Sequence, residues 1–398
     1  MTKQGIKKVS HEPQEKLLAA IARPAPDKGF DSLFDVDPEW KDYWWAMPDF
    51  HAEDLSPARQ LTMQFLTQAD YNAFREMLGL KLLRHQNKTW WPPQDRPRRG
   101  EFCWRGVPSP TRYPVYVPSK GRAATATTPA LLEQAGIEYK LVVEPTEANE
   151  YKIRFGADRV LVLPFHDLLQ GSIPARNWIW DHAIYSGAPW HWIIDDNVAG
   201  FYRSHMNKRL TVRESSAPLR MVEDFVDRFN NLAFAGLADI AFMGDTTRVP
   251  ITLNTRIYSV TLINSALDYR WRGRFNEDTD ICLRALKDGW ATVLFKNMLM
   301  DKPETSRGDG KTGSKGGNTD SVYAVNDHRL AFAESLKEQH PDVTEIVWKF
   351  NRWHHQVDYS PFRNNELNLK PGITPIGEIN DYGLELVRNE TETKGEMR

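Results

Sequence analysis

From Tyr113 to about residue 295, short apolar segments of strand length alternate with stretches of helical periodicity, joined by brief connections. VYV (115–117) reads as a strand and is followed by a helix over 128–136. IEYKLVV (137–143) is a strand, PTEANEYKIRF a helix and RVLVLPF (159–165) a strand. A helix over 174–187 leads into HWIIDDN (191–197), an apolar strand that ends in carboxylates. Beyond it the pattern predicts a helix over 219–236, a strand in DIAFMG, strands around 251–264, a helix over 278–288 and a strand over 291–295. Parallel strands need crossover helices, so this rhythm implies an α/β fold: a mostly parallel sheet with helices on both faces. Ligands of such sheets bind at the carboxyl ends of the strands. That rule directs attention to the residues after Val117, after Ile194 and around Glu277.

The flanks read differently. Residues 1–38 are polar, broken by RPAPDKG, and are expected to form a flexible arm. Residues 39–93 predict a small α+β module, with LTMQFL (61–66) as a strand, QADYNAFREMLGL (68–80) as a helix and a second strand near 88–91. Prolines at 92, 93, 97, 108 and 110 mark a stiff, basic linker over 94–112. The alternating domain then runs over 113–370 and a tail over 371–398. One stretch, ETSRGDGKTGSKGGNTD (304–320), is too long and polar for an ordinary connection; it reads as either a disordered segment or, by preference, a lid that orders on a ligand.

Composition removes several function classes. No apolar run approaches the roughly 18 residues of a membrane span. MTKQGIKKVSHEPQEK, the first 16 residues, has no apolar core for a secretory signal. Two cysteines, Cys103 and Cys282, exclude a disulfide framework and a cysteine-built zinc site, so a reducing, cytoplasmic setting is expected. The net charge is only −2, yet 81–122 carries ten Lys and Arg against two acids, interleaved with aromatics. Arg98, Arg99, Trp104 and Arg105 in that stretch fit a surface that neutralises phosphates and stacks on bases. A solvated linker with a few core aromatics is the plainer reading.

Four segments carry residues suited to chemistry. Asp195, Asp196 and Asn197 follow the apolar strand; carboxylates at a buried strand end suit a hard divalent ion that itself carries phosphates. Capping of a turn is the structural alternative. Glu277, Asp278 and Asp280 enter a predicted helix, where they either complement its dipole or supply a base for a hydroxyl acceptor. In YVPSKGRAATATTP (116–129), Ser119, Lys120, Gly121 and Arg122 stand directly after a strand, placed to reach a nucleotide and its phosphates. The loop lacks the glycine spacing of a P-loop or dinucleotide fingerprint, so neither an NTPase nor a dehydrogenase is supported. In KFNRWHHQVDYSPF (349–362), His354 and His355 are adjacent, so one of them at most faces a given site; metal or phosphate contact is weighed there against a structural histidine.

Together these pieces resemble a nucleotide-sugar glycosyltransferase of the GT-A fold, with IDDN standing where the DxD motif sits. More closely, the chain resembles the TET-associated glycosyltransferases of phages, relatives of the base J glucosyltransferase. The resemblance is carried by YPVYVPSKGRA, EPTEANEY, LPF…GSIPARNWIWDHA, WIIDDNV, FNEDTDICLRALKDGW, the KGGNT stretch and RWHHQVDYSPF, over about 113–370. It implies a GT-A-like, Rossmann-type sheet and sugar transfer from a UDP-sugar to the hydroxymethyl group of an oxidised pyrimidine in DNA. It also implies donor contacts from Ser119, Lys120, Arg122, Asp195 and Lys302, with Mn²⁺ or Mg²⁺ held by Asp196, Asn197 and His355. Asn197 departs from a strict DxD and replaces a carboxylate with an amide oxygen. Asp278, with Glu277 as second choice, is the implied base; direct displacement with inversion is the expected course, with retention as the alternative because no sequence feature fixes the stereochemistry. A base in a duplex cannot reach such a pocket, so extrusion is expected, with Trp271 or Trp104 stacking on or replacing it.

Three rivals stand beside this expectation. The same fold could act on a protein or small-molecule acceptor. A metal-dependent nuclease could use Asp195, Asp196, Asp278 and Asp280 as a two-metal site. A non-catalytic DNA-binding protein would use neither acidic cluster.

Overall fold

A computed structural model of the protein describes residues 39–52, 59–80, 100–243, 249–273, 275–303, 329–349 and 352–389. The expectations for the arm 1–38, the strand near 88–91, Arg98, Arg99 and the stretch 304–320 lie outside these residues.

In chain order the elements are α1 (Gln68–Met77), β1 (Phe102–Arg105), β2 (Val115–Pro118), α2 (Thr128–Ala135), β3 (Lys140–Val143), α3 (Ala148–Phe155) and β4 (Val160–Val162). Then come α4 (Ile173–Tyr185), β5 (Trp190–Ile194), β6 (Gly200–His205), β7 (Lys208–Arg213), α5 (Ala217–Val226) and β8 (Leu232–Asp239). The chain continues through β9 (Ile251–Leu253), β10 (Val260–Asn264), α6 (Glu277–Lys287) and β11 (Ala291–Asp301). Last are α7 (Arg329–Gln339), β12 (Thr344–Lys349), β13 (Arg352–Val357) and β14 (Glu385–Arg388).

The fold is α/β, built on a mixed, mostly parallel twelve-stranded sheet in the order β14-β1-β7-β6-β11-β8-β10-β5-β2-β3-β4, with β9 on β11. β2, β3, β4 and β5 run parallel, and β10 is antiparallel to both β5 and β8. Helices cover both faces, which is why β5 and β8 are buried at every residue and read as continuous apolar runs. The pleat sends alternate residues to opposite layers. Val115, Val117, Trp192 and Ile194 join the cluster with Leu132 of α2, Tyr151 of α3 and Phe225 of α5. Tyr116 and Ile193 join the other cluster, with Ile179 and Trp180 of α4 and Ile281 of α6. None of the described helices is long and apolar enough to cross a membrane.

Several local expectations are corrected. The helix read over 219–236 ends at Val226, and LAFAGLAD is β8, because a strand buried on both faces has no alternation to distinguish it from a helix. Gly236 sits so close to β10 that a Cβ there would lie 2.2 Å from the Val260 carbonyl oxygen. DIAFMG is the end of β8 and a 3-10 turn, Ile240–Phe242. The β6–β7 hairpin escapes the pattern; both residues of its two-residue turn, Met206 and Asn207, have positive φ. LTMQFL forms no strand; Phe65 instead packs on Tyr71 and Phe74 of α1, whose start Thr67 and Asp70 cap reciprocally.

The flanks join the main body. β1, in the segment read as a linker, pairs with β7 and with β14 from the segment read as a tail. Trp44 and Met47 are buried in the main core, Trp44 against Phe225 and Phe295.

Candidate functional site

A cleft of about 640 Å³ opens at the carboxyl ends of β2, β3 and β5. The loop after β2 contributes Ser119, Lys120 and Arg122, and the turn after β5 contributes Asp195, Asp196 and Asn197. Arg176 comes from the first turn of α4, Asn276–Thr279 from the entry to α6, and Lys302 from the residue after β11. Backbone bonds fix the β5 turn: Asp195 N donates to Ser259 O, and Thr127 N and Thr128 N donate to Asp196 O.

The ionised groups form two linked sets. Arg122 Nη1 and Ser119 Oγ each donate to the Asp196 carboxylate at 2.6 Å, and Ser119 is also 2.7 Å from the Tyr151 hydroxyl. Arg122 N in turn donates to that hydroxyl at 3.1 Å. Lys302 Nζ donates to Asp195 at 2.6 Å and lies 3.0 Å from Ser259 Oγ. Arg176 joins the sets: Nη2 is 3.2 Å from Asp195, and Nη1 is 2.6 Å from Asp278 and 3.5 Å from Glu277. Its guanidinium lies 4.8 Å from the centre of the Trp271 ring.

Burial and charge pull these groups apart in acidity. Desolvation pushes the Asp195 carboxyl up, but Lys302 and Arg176 outweigh it and hold it well below the usual range. At Asp196 desolvation wins over Ser119 and Arg122, and the carboxyl is raised. Glu277 is raised by desolvation and then by the neighbouring charge of Asp278. Burial alone would lower Arg176, yet the charges of Asp278, Glu277 and Asp195 keep it firmly protonated.

Of the residues singled out from sequence, Ser119, Lys120, Arg122, Asp195, Asp196, Asn197, Glu277, Asp278 and Lys302 all line the cleft. Lys120 is turned to Glu144 at 2.7 Å and Asp167 at 3.1 Å. His355 is not among the lining residues; it sits on β13 beside Arg256, which is. Asp280 faces away, held by Arg272, Arg284 and His340, so it cannot complete a two-metal site with Asp278. Arg176 was missed, since an arginine inside an apolar helical run gives no sequence signal of what it faces.

Three residues expected to face nucleic acid lie outside the cleft lining. Trp271 is only 3% exposed, beneath Arg176, because its ring covers the guanidinium instead of the cleft. Trp104 lies on β1 far along the sheet, under Arg203 at 4.1 Å, and Arg105 pairs with Glu214 at 3.7 Å.

Among the described residues no group of three or more His, Cys, Asp or Glu gathers as a metal cage. The fit to a divalent ion rests on the β5 turn, where Asn197 Oδ1 is buried in the cleft lining with no hydrogen-bond partner. A hard amide oxygen left open beside a carboxylate is a donor set that an ion bound to phosphates can complete.

Residues 113–311, which include β2 to β11 and the cleft-lining strand ends, match the family model described as TET-Associated Glycosyltransferase. No curated protein matches the chain.

Proposed function

Because this chain belongs to the TET-Associated Glycosyltransferase family and is a glycosyltransferase, we propose that it moves a sugar from a UDP-sugar to the hydroxyl of a hydroxymethylated pyrimidine in DNA. The observation that carries the proposal is the span of Arg176, which holds Asp195 on one side of the cleft and Asp278 on the other. One cation thereby fixes a donor-side and an acceptor-side carboxylate in register.

Ser119, Lys120 and Arg122 receive the nucleotide at the end of β2. Lys302 and Arg176 present positive charge where the diphosphate leaves, and act without reorganisation because Asp195 already orients both. Asp278 accepts the proton of the acceptor hydroxyl as its oxygen attacks the anomeric carbon. The carbon–oxygen bond to UDP breaks, its electron pair stays on the diphosphate, and the anomeric centre inverts. Glu277 is second choice, because burial and Asp278 make it hold its proton more readily. Mn²⁺ or Mg²⁺ would be held by Asp196 and Asn197 Oδ1, and would supply Lewis-acid charge to the leaving diphosphate. His355 has no part in that donor set. The proposed setting is the cytoplasm of a host cell, where UDP-sugars and DNA meet.

The test is the intact mass of short duplexes carrying cytosine, hydroxymethylcytosine or hydroxymethyluracil after incubation with the protein, Mn²⁺ and mixed UDP-sugars. A gain of one sugar on a hydroxymethylated strand alone is expected. UDP release without any gain on DNA would overturn the acceptor and leave a protein or small-molecule one.

A further inference from the structure

Among the described residues the cations that line the cleft are Lys120, Arg122, Arg176, Arg256 and Lys302. Four of these meet a carboxylate at 2.6 or 2.7 Å: Lys120 at Glu144, Arg122 at Asp196, Arg176 at Asp278 and Lys302 at Asp195. Arg256, in the segment that leads into β10, does not. Among the described residues no carboxylate and no carbonyl takes its guanidinium, which lies instead 5.0 Å from the centre of the Tyr258 ring. Its other neighbours offer no negative charge. Burial pushes the Cys282 thiol up to about 12 and the His355 imidazole down to about 4, so both are neutral near pH 7. Arg256 is half-buried, so it gives up part of its hydration with no counter-charge in return.

The position of Arg256 selects the anion that would supply that counter-charge. The cations placed for the donor diphosphate gather at the ends of β2, β5 and β11, whereas Arg256 belongs to the facing wall. Tyr258 beside it feels the charge of Asp278, the proposed base, and stands edge-on to Phe242 with ring centres 6.4 Å apart. Phe242 lines the cleft with 65% of its surface exposed. A planar fork of donors matches two phosphate oxygens, and an open aromatic ring next to it gives a base a face to stack on.

We propose that Arg256 receives the phosphate flanking the acceptor nucleotide, with Phe242 as the ring on which the extruded base rests. This rests on the DNA-acceptor reading above and makes Arg256 a residue that selects and positions the acceptor. The base is joined to that phosphate through one deoxyribose, so fixing the phosphate limits where the hydroxymethyl group can lie relative to Asp278.

The experiment measures transfer from the mixed UDP-sugars by the full-length protein to hydroxymethylcytosine duplexes. Some carry one methylphosphonate, an uncharged phosphate analogue, placed 5′ or 3′ to the acceptor nucleotide. Wild type, Arg256→Ala, Arg256→Lys and Phe242→Ala are compared; melting temperature reports the fold, and calorimetric titration of UDP with Mn²⁺ reports the donor side. In wild type, one of the two methylphosphonates is expected to raise KM for DNA about tenfold. Arg256→Ala should raise KM for the ordinary duplex by a similar factor and then respond to neither methylphosphonate, because the partner of that charge is already gone. Arg256→Lys should recover part of the loss, and Phe242→Ala should weaken the DNA KM while keeping the response to the methylphosphonate. UDP affinity should stay at the wild-type value throughout.

A wild type that transfers equally well to all three duplexes would overturn the phosphate contact without recourse to any variant. Arg256→Ala with a wild-type KM for DNA, or with an undiminished response to the methylphosphonate, would overturn it as well. Weakened UDP binding with an unchanged KM for DNA would assign Arg256 to the donor diphosphate instead. Should Arg256→Ala lower the melting temperature, Arg256→Lys carries the same comparison. A wild type that modifies no hydroxymethylated duplex would overturn the acceptor reading itself.

Discussion

On the side of the cleft built from the ends of β2 and β5, every ionised group has found another: Asp196 meets Arg122 and Ser119, and Asp195 meets Lys302 and Arg176. Across from it the wall is formed by the turn Ile240–Phe242, Tyr258 and Arg256, with the β12–β13 hairpin beyond. There Phe242 is 65% exposed, and the Trp348–Trp353 pair stands in solvent. On the first side the charges are met before anything binds while Asn197 Oδ1 is left open, which fits a small ligand of fixed shape whose charges must be met without rearrangement. The second side is left incomplete, as a surface must be if its other half is a large partner. On the proposed reading, pre-organisation and openness are divided between donor and acceptor, with Arg176 as the link.

The most severe test of that division is Asp278→Asn. Removing the proposed base should lower transfer about a thousandfold, while UDP-sugar affinity, which belongs to the other wall, stays near wild type. Near-normal turnover would remove Asp278 from the role and dissolve the boundary between the two walls. Arg176→Ala tests the link itself. It leaves Asp195, Asp278 and Glu277 without their common cation, and since these carboxylates are partly solvated the cost is about 2 kcal/mol in a denaturant melt. Turnover should fall too, and Arg176→Lys should recover stability more than turnover, because an ammonium cannot span carboxylates on both sides with a planar fork.

Asn197→Asp sharpens the account of the donor wall. A carboxylate in place of the open amide oxygen should lower the Mn²⁺ concentration for half-maximal transfer by about tenfold, and isothermal titration of the metal with UDP reads the same change without turnover. The smallest effect concerns pH. Asp195 is held low in the folded protein by Lys302 and Arg176, so its contribution to stability is present above the unfolded carboxylate range. It is lost as pH falls through the lower folded value. Acid unfolding followed by circular dichroism should therefore be shallower in Asp195→Asn on the limb below about pH 4.

Much of the donor wall was legible in the sequence because it is local. The run Trp192–Ile193–Ile194 announces a buried strand, and the carboxylates after it have nowhere to sit except a strand end. Pro118 and Ser119 follow β2 in the same way. Across the cleft Glu277 and Asp278 are as readable, since they open a helix whose apolar period is plain. The aromatic residues were not legible, since Trp271 and Trp348 are the same residue type and only their surroundings separate a buried cover for a guanidinium from an exposed pair.

By itself, then, the sequence determined the alternation of strands and helices, the parallel run of β2 to β5, and the polar residues that follow their ends. Each of these is written in neighbouring residues, as a period or as a change from apolar to charged. The tertiary structure alone decided that β1 and β14, from opposite ends of the chain, pair on one sheet edge, and that LAFAGLAD is a strand against β10. It alone decided that a buried arginine from α4 joins Asp195 to Asp278. Pairing and charge neutralisation act between residues distant in the chain, and their energies depend on distances that exist only after folding.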